Sequence, residues 1–314
     1  MSHVVIFPGQ GAATPGAGAA WRAHDAWRVI TEAEEVLDRP LARLLLEADA
    51  DELATTRASQ LAVFLGSLMA WDALAPQLPE PPLAFAGHSL GQITALVAAG
   101  ALDRADGYRL AARRADVSQD SADAQVGRMA ALVGADLALA EKACTDGDAW
   151  VANDNAPGQI VIAGTPEGLE RASERAKELG ARRVMPLAVG HAFHTPLLAD
   201  AAEALGPLLD ELEFREPSAP IVTNTDAAPV TDPAAWPQLL RRHLVTPVRW
   251  TESQRALVEL GATTFVEAGP GKVLAGLAKR TVPDVRVVNV AAPDDVAGAV
   301  AELSSPPAPP APPT

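Results

Sequence analysis

The chain has 314 residues, 48% of them apolar and only 4% aromatic, enough for one large domain or a large and a small one around a core of mostly Ala, Leu and Val. Forty acidic against 25 basic residues give a formal charge of −15, which argues against nonspecific nucleic-acid binding, since that requires phosphate neutralisation. A single cysteine, Cys144, excludes an internal disulfide and a cysteine-built zinc site, and with no secretory signal and no run of about 18 apolar residues in view the expected setting is the cytoplasm, away from membranes.

In chain order, Val4 to Phe7 reads as a strand that runs into the loop Pro8-Gly9-Gln10-Gly11, which either turns the chain or holds an anion. No Gly-Lys-Ser/Thr follows, so it is not a P-loop. Helices are predicted over Trp27 to Leu37, Leu41 to Leu46 and Thr56 to Leu74, the last with a broad apolar surface, before a proline-rich loop from Pro76 to Pro82. Leu83 to Phe85 reads as the end of a buried strand, and Gly87-His88-Ser89-Leu90-Gly91 as a G-x-S-x-G nucleophile elbow opening a helix over Gln92 to Ala99. Strand and helix pass so closely there that side chains at Gly87 and Gly91 do not fit, and Ser89 is raised at a helix N-terminus that favours developing negative charge. A further helix runs from Arg104 to about Ser118 and carries Arg109, Arg113 and Arg114.

Near Gly127 the pattern changes. Strands around Met129 to Val133, Trp150 to Ala152, Ile160 to Ala163 and Arg182 to Leu187, with helices over Leu137 to Cys144 and Pro166 to Leu179, give the order β-α-β-β-α-β of a small ferredoxin-like insert, with Asn153 to Gly158 as a loop. Thr165 is a plausible cap for the second of these helices. The large-domain pattern resumes near Gly190, with helices over Pro196 to Leu209, Trp236 to His243, Ser253 to Leu260 and Val273 to Arg280, and strands over Ile221 to Thr223, Thr264 to Glu267 and Val285 to Val290. The expected fold is therefore α/β. A large α/β-hydrolase-like domain with a parallel sheet (residues 1–126 and 190–303) carries the ferredoxin-like subdomain (127–189), and a Pro-rich disordered tail covers 304–314.

A serine nucleophile needs a base. Of the six histidines, His3 sits at a fraying terminus, His24 in a polar stretch, and His88 at the x position of the elbow, where its ring does not reach back to Oγ. His191 and His194 occupy a loop after a predicted strand, and the residues alone divide the role equally between them; without a helical His-Glu-x-x-His frame they do not suggest a metal site.

The segments Phe7-Pro8-Gly9-Gln10-Gly11, Gly87 to Gln92, Arg114, Asn155 to Gln159, Ala192-Phe193-His194 and Gly269 to Leu274 together resemble the FabD-type malonyl-CoA:acyl carrier protein transacylase family, over Val4 to about Val290. The resemblance implies that Ser89 is the nucleophile and His194 its base. It implies that the backbone N–H groups of Gln10 and Leu90 form the oxyanion hole, and that the carbonyl of His243, at a position often held by glutamine, orients His194. It assigns Arg114 to the free carboxylate of the malonyl group, leaving Arg109 and Arg113 as structural or solvent-facing. Phe193, in His191-Ala192-Phe193-His194, is similar to the malonyl signature of polyketide acyltransferases and would fill the space of an α-methyl group; Gln10 and His88 join it on the substrate side, as does Asn155, whose matching position is either structural or a substrate contact. Gln92 and Ala115 depart from the more familiar Glu and Gly. The implied activity is malonyl transfer from malonyl-CoA to the phosphopantetheine of an acyl carrier protein, by a monomer with no cofactor and no metal. The alternatives are a serine-dependent acyl hydrolase, an acyltransferase for another unit, and a docking domain without activity. Arg182, Arg183, Lys272, Lys279 and Arg280 are the expected basic contacts for an acidic carrier protein.

Overall fold

The computed structural model describes residues 2–305. In chain order its strands are β1 (His3–Phe7), β2 (Phe85–Gly87), β3 (Arg128–Val133), β4 (Ala149–Ala156), β5 (Gln159–Gly164), β6 (Arg183–Pro186), β7 (Ile221–Val222), β8 (Pro229–Val230), β9 (Val248–Arg249), β10 (Thr264–Ala268) and β11 (Arg286–Val290). They form two sheets in a large mixed α/β domain. The first has the order β11-β10-β1-β2-β7-β8, parallel except for the antiparallel edge strand β8. Its inner strands are buried on both faces and read as continuous apolar runs such as Val4-Val5-Ile6-Phe7, as a parallel sheet covered by helices requires.

The second sheet has the order β6-β3-β5-β4-β9. Its first four strands pair antiparallel and come from the segment expected as an insert; β9 adds a parallel strand from beyond it, pairing Asn153 with Val248. The small sheet therefore draws on residues outside 127–189. β9 was not anticipated, because two residues beside Pro247 carry no periodicity.

Helix Thr56–Leu74 lies at the centre of the large core. Its Trp71 meets Phe7 of β1 and Phe85 of β2 edge-on, with ring centroids 6.3 and 5.4 Å apart, so one indole steadies both strands that lead into the site. Extended to Gln77, this helix has the length and hydropathy of a membrane span, but 83% of its most apolar stretch is buried inside the fold, as for a core helix. Helix Arg104–Ala124 packs beside it and outruns its expected end at Ser118. The Thr165 cap forms, accepting the Gly168 N–H at 3.0 Å.

Several expectations need correction. Strand β2 covers Phe85 to Gly87 rather than ending at Phe85, and Asn153 to Ala156 belong to β4, made irregular by two register shifts, rather than to a loop. His3 is a buried residue of β1, not part of a frayed end. The described residues also end with an unanticipated helix, Pro293–Ser304, whose N-terminus is capped by Asp295 and whose Val296, Ala299 and Leu303 are buried. Ser304, expected to begin a tail, ends that helix with its hydroxyl on the Val300 carbonyl. Residues 306–314 of the expected tail lie outside the described residues.

The contact between β1, β2 and the helix Gly91–Ala98 leaves no space for side chains. A Cβ on Gly87 would lie 1.9 Å from the Gly91 carbonyl, and one on Gly91 2.2 Å from the Phe7 carbonyl oxygen. Gly91→Ala must therefore push the helix off β1. It is expected to lower stability by at least about 2 kcal/mol in urea unfolding and to abolish labelling of Ser89 by a serine-directed phosphonate.

Candidate active site

Ser89 sits where β2 turns into the helix Gly91–Ala98, with a left-handed backbone (φ 52°) that lifts its side chain out of the turn. A non-glycine residue holds this conformation only when its surroundings over-determine it. Here Ser89 N–H donates to Asn224 Oδ1 (2.7 Å), and Asn224 Nδ2 donates to the Gly87 carbonyl (2.8 Å).

Ser89 Oγ lies 2.7 Å from His194 Nε2. His194 Nδ1 is 2.9 Å from the main-chain oxygen of His243, which can only accept, so the proton is on Nδ1 and Nε2 is bare toward the serine. His194 also has a left-handed backbone (φ 60°), in the loop after β6. The structure thus brings His194 to Ser89 and leaves His191 on other partners: its Nε2 is 3.0 Å from Ser121 Oγ, and its ring meets Phe193 edge-on at 5.9 Å. His243 lies in the last turn of helix Trp236–Val245, and its own ring is buried.

Arg114, 3% exposed on helix Arg104–Ala124, donates from Nη2 to Ser89 Oγ at 3.1 Å and from Nη1 to Gln60 Oε1. No ion pair among the described residues includes Arg114, and its Nε has no partner. A buried cation without a counter-ion is costly, and burial lowers the guanidinium to about 10. Arg109 and Arg113 face elsewhere, Arg109 on Asp106 and Arg113 on the Ala204 carbonyl. Burial, and secondarily the charge of Arg114, lower His194 to about 3. His88 and His243 are also lowered, chiefly by burial, so the imidazoles around the serine are neutral.

Gln10 begins a short 3-10 turn (Gln10–Ala12) and Leu90 is the N-cap of helix Gly91–Ala98, positions whose N–H groups have no intrahelical acceptor. Both flank the serine, because β1 and β2 are adjacent parallel strands and Gly9 packs on the His88 carbonyl. Leu90 is fully buried, with its side chain in the large core. His88 Nε2 lies 2.8 Å from Asn155 Oδ1 and its ring meets Trp250 edge-on, which ties the elbow to β4.

Ser89 and His194 open into a cavity of about 520 Å³ between the two sheets. Gln10 and His88 line it from the large sheet's side, Met129, Ala131, Asn153, Asn155 and Val161 from the small sheet, and Phe193 from the loop after β6, where it packs against Met129 and Val161. No group of three or more His, Cys, Asp or Glu residues among the described residues could hold a metal ion. Two site residues were not anticipated. Gln60 is the lone glutamine in the apolar helix Thr56–Leu74, a signal that was available. Asn224 lies two residues beyond β7, the strand beside β2, at the carboxyl edge of a parallel sheet where sites gather.

The family model for the acyl transferase domain matches residues 4–300. The malonyl CoA-acyl carrier protein transacylase of Bacillus subtilis is 38% identical over 311 residues, 96% of this chain and 98% of that protein. The crystal structure of malonyl-CoA:acyl carrier protein transacylase from Xanthomonas oryzae is similar at a TM-score of 0.91 and 37% identity, over 96% of this chain and 99% of that one. A malonyl-transacylase in complex with its type II PKS acyl-carrier protein is similar at 0.92 and 33% identity, over 96% of this chain and 100% of that one.

The neutral state of His194 has a direct consequence for pH. An ordinary imidazole is about 97% protonated at pH 5, whereas a base lowered to about 3 is still free there. Because protonation removes the base, the acid limb of Ser89 reactivity moves down with that pKa. The burst of p-nitrophenolate from p-nitrophenyl acetate is expected to keep its pH 7 rate within about threefold at pH 5; a fall of about thirtyfold in the folded enzyme would assign His194 an ordinary pKa.

Proposed function

The chain belongs to the acyl transferase family of malonyl-CoA:acyl carrier protein transacylases, and from that membership we propose how its own residues carry the reaction. It is an [acyl-carrier-protein] S-malonyltransferase, moving a malonyl group from malonyl-CoA to the phosphopantetheine thiol of an acyl carrier protein for fatty acid or polyketide synthesis. The single observation that carries the residue assignment is the buried Arg114 guanidinium, without a carboxylate partner, 3.1 Å from an oxygen that His194 can deprotonate.

In the first half-reaction Ser89 Oγ attacks the thioester carbonyl while its proton passes to His194 Nε2. The N–H groups of Gln10 and Leu90 receive the oxyanion. The C–S bond breaks, His194 returns the proton to the leaving thiolate, and coenzyme A departs with malonate esterified on Ser89. Arg114 holds the free carboxylate, replacing its bond to Oγ by charge-assisted bonds to the acyl group. In the second half His194 Nε2 takes the proton of the phosphopantetheine thiol, the thiolate attacks the ester, the C–Oγ bond breaks, and His194 returns the proton to Ser89 Oγ as the malonyl group leaves as a thioester of the carrier protein. Neutralisation of Arg114 by the bound carboxylate removes the second largest of the influences that depress His194, after burial, so the base strengthens when malonyl is in place.

Phe193, 5% exposed in the cavity wall and backed by His191, is read as the side chain that disfavours an α-branched acyl unit. Asn155, His88 and the cavity face of β4 are read as contacts for the pantetheine arm. The order of β3 to β6 and their antiparallel pairing support a ferredoxin-like insert at 127–189, and the elbow at the end of parallel strand β2 supports an α/β-hydrolase-like large part. Cytoplasmic location is supported by the lone Cys144, whose thiol burial pushes up to about 12.

For carrier docking, exposed Arg182, Arg183, Lys272 and Lys279 support a local basic rim on a chain of net charge −15. Lys272 adjoins Val273, and Arg183 begins the strand that leads to Leu187; both Val273 and Leu187 line the cavity. Arg280, expected in the same set, is engaged within the chain by the Pro157 carbonyl and Gln159.

Two outcomes are expected. Incubated with malonyl-CoA, the wild-type protein gains one malonyl mass on intact-protein analysis and Ser89→Ala gains none, while Arg114→Ala loses about 10²–10³-fold in kcat/KM for malonyl-CoA but far less for acetyl-CoA. Malonyl-enzyme on Ser89→Ala would overturn the assignment. Arg183→Glu with Lys272→Glu should raise KM for the carrier protein about tenfold with malonyl-CoA acylation retained; an unchanged KM would remove these residues from the docking surface.

A further inference from the structure

His243 has more attachments to the site than the carbonyl that orients His194. Its ring Nε2 lies 3.1 Å from Asn224 Oδ1, the same oxygen that accepts the Ser89 N–H. Asn224 is fully buried and bonded at every polar group: its N–H donates to Gln92 Oε1 (2.8 Å), its carbonyl accepts from Arg249 N–H (3.0 Å), and Nδ2 donates to the Gly87 carbonyl.

These partners follow from the sheet. In the parallel β2–β7 ladder Phe85 pairs with Ile221 and Ala86 with Val222, and Phe85 N–H donates to the Pro220 carbonyl. One step further, the Gly87 carbonyl and Ser89 N–H would bond the main chain of Asn224. That main chain is taken by Gln92 and Arg249, and the Asn224 carboxamide supplies the same donor and acceptor instead. The ladder is thereby continued through the elbow by a side chain.

The carboxamide orientation is set by its partners, because Ser89 N–H can only donate and the Gly87 carbonyl can only accept. The oxygen therefore faces His243, and Nε2 of His243 must carry its proton. We propose that the His243 imidazole and Asn224 are positioning residues for Ser89: the ring N–H holds the carboxamide that holds the elbow, while the carbonyl of the same residue holds the base. The Ser89–His194 distance is then set from both sides by one residue. A glutamine at 243 could meet the same oxygen with an amide N–H; an aliphatic residue could not.

This rests on the reading of Ser89 as the nucleophile, and the test separates the two. Ser89 acylation is measured on the wild-type protein, His243→Leu and His243→Gln, with malonyl-CoA and with p-nitrophenyl acetate, whose burst needs the nucleophile but not malonyl recognition. All three proteins keep the main-chain carbonyl that orients His194. The expected result is an acylation rate constant lowered by about tenfold or more in His243→Leu with KM within about twofold, and most of that loss recovered in His243→Gln. Equal rate constants for the Leu and Gln proteins, whether both high or both low, would overturn the link. A wild-type protein that gives the nitrophenolate burst but no malonyl-enzyme would instead overturn the malonyl reading and leave this comparison valid. Should His243→Leu fail to fold, the wild-type imidazole answers the question: its nitrogen chemical shifts are expected to report an Nε2–H tautomer, and an Nδ1–H tautomer would overturn the proposal.

Discussion

The rest of the site depends on the close approach of three backbone segments at the elbow. β2 ends at Gly87, the following helix starts at Gly91, and the Phe7 carbonyl of β1 lies against Gly91, with no volume for a Cβ at either glycine. Ser89, caught between them, takes a left-handed backbone that costs on the order of 1–3 kcal/mol. The strain is held by the large sheet, by Trp71 wedged on Phe7 and Phe85, and by the Asn224 carboxamide. In return a small side chain projects at a helix N-terminus, where ordinary helix geometry leaves the Leu90 N–H without an acceptor, and it is this N–H that we propose receives a developing oxyanion.

The second constraint is electrostatic. Arg114 is buried beside Ser89 with a neutral amide, Gln60, and a hydroxyl as its partners. An internal carboxylate would have stabilised the free protein and closed the site to a dicarboxylic acyl group. Leaving the guanidinium unneutralised makes the empty site less stable, and on the proposed reading gives an entering carboxylate a desolvated partner. The same charge helps to keep His194 deprotonated, so the residue proposed to hold the substrate's anion also favours the free form of the imidazole.

Much of this was legible in the sequence because it rests on local rules. G-x-S-x-G between an apolar strand and a helix specifies the elbow, and the 3.6-residue pattern marks the long helices around it. What escaped depended on tertiary contact. The choice between His191 and His194 turns on which imidazole reaches Oγ, and the residues alone left it open until family resemblance favoured His194. Asn153 and Asn155 looked like loop residues because polar amides rarely line a strand; they do so here because that face of β4 borders a cavity. Strand β9 is specified by pairing with β4 rather than by its own two residues, and the last helix by the burial of Val296, Ala299 and Leu303. Asn224 could be located at the end of a strand, but that its carboxamide replaces a strand's peptide is a matter of three-dimensional register.

The two constraints together account for the third member of the catalytic arrangement. A base hydrogen-bonded to a serine is commonly oriented by a carboxylate; here the orienting group is the main-chain oxygen of His243. A carboxylate at that point would lie in the same buried space as Arg114, whose charge reaches His194 and His243. It would neutralise the guanidinium in part and repel the carboxylate of the acyl group. A carbonyl imposes the same tautomer on His194 with no net charge. The cost is a weaker base, since no anion stabilises the imidazolium. A thioester asks less of that base than an amide does, because a thiolate is a good leaving group. A neutral orienting group is thus compatible with transfer between two thiols, and it leaves the Arg114 charge unneutralised for the malonyl carboxylate that we propose it holds.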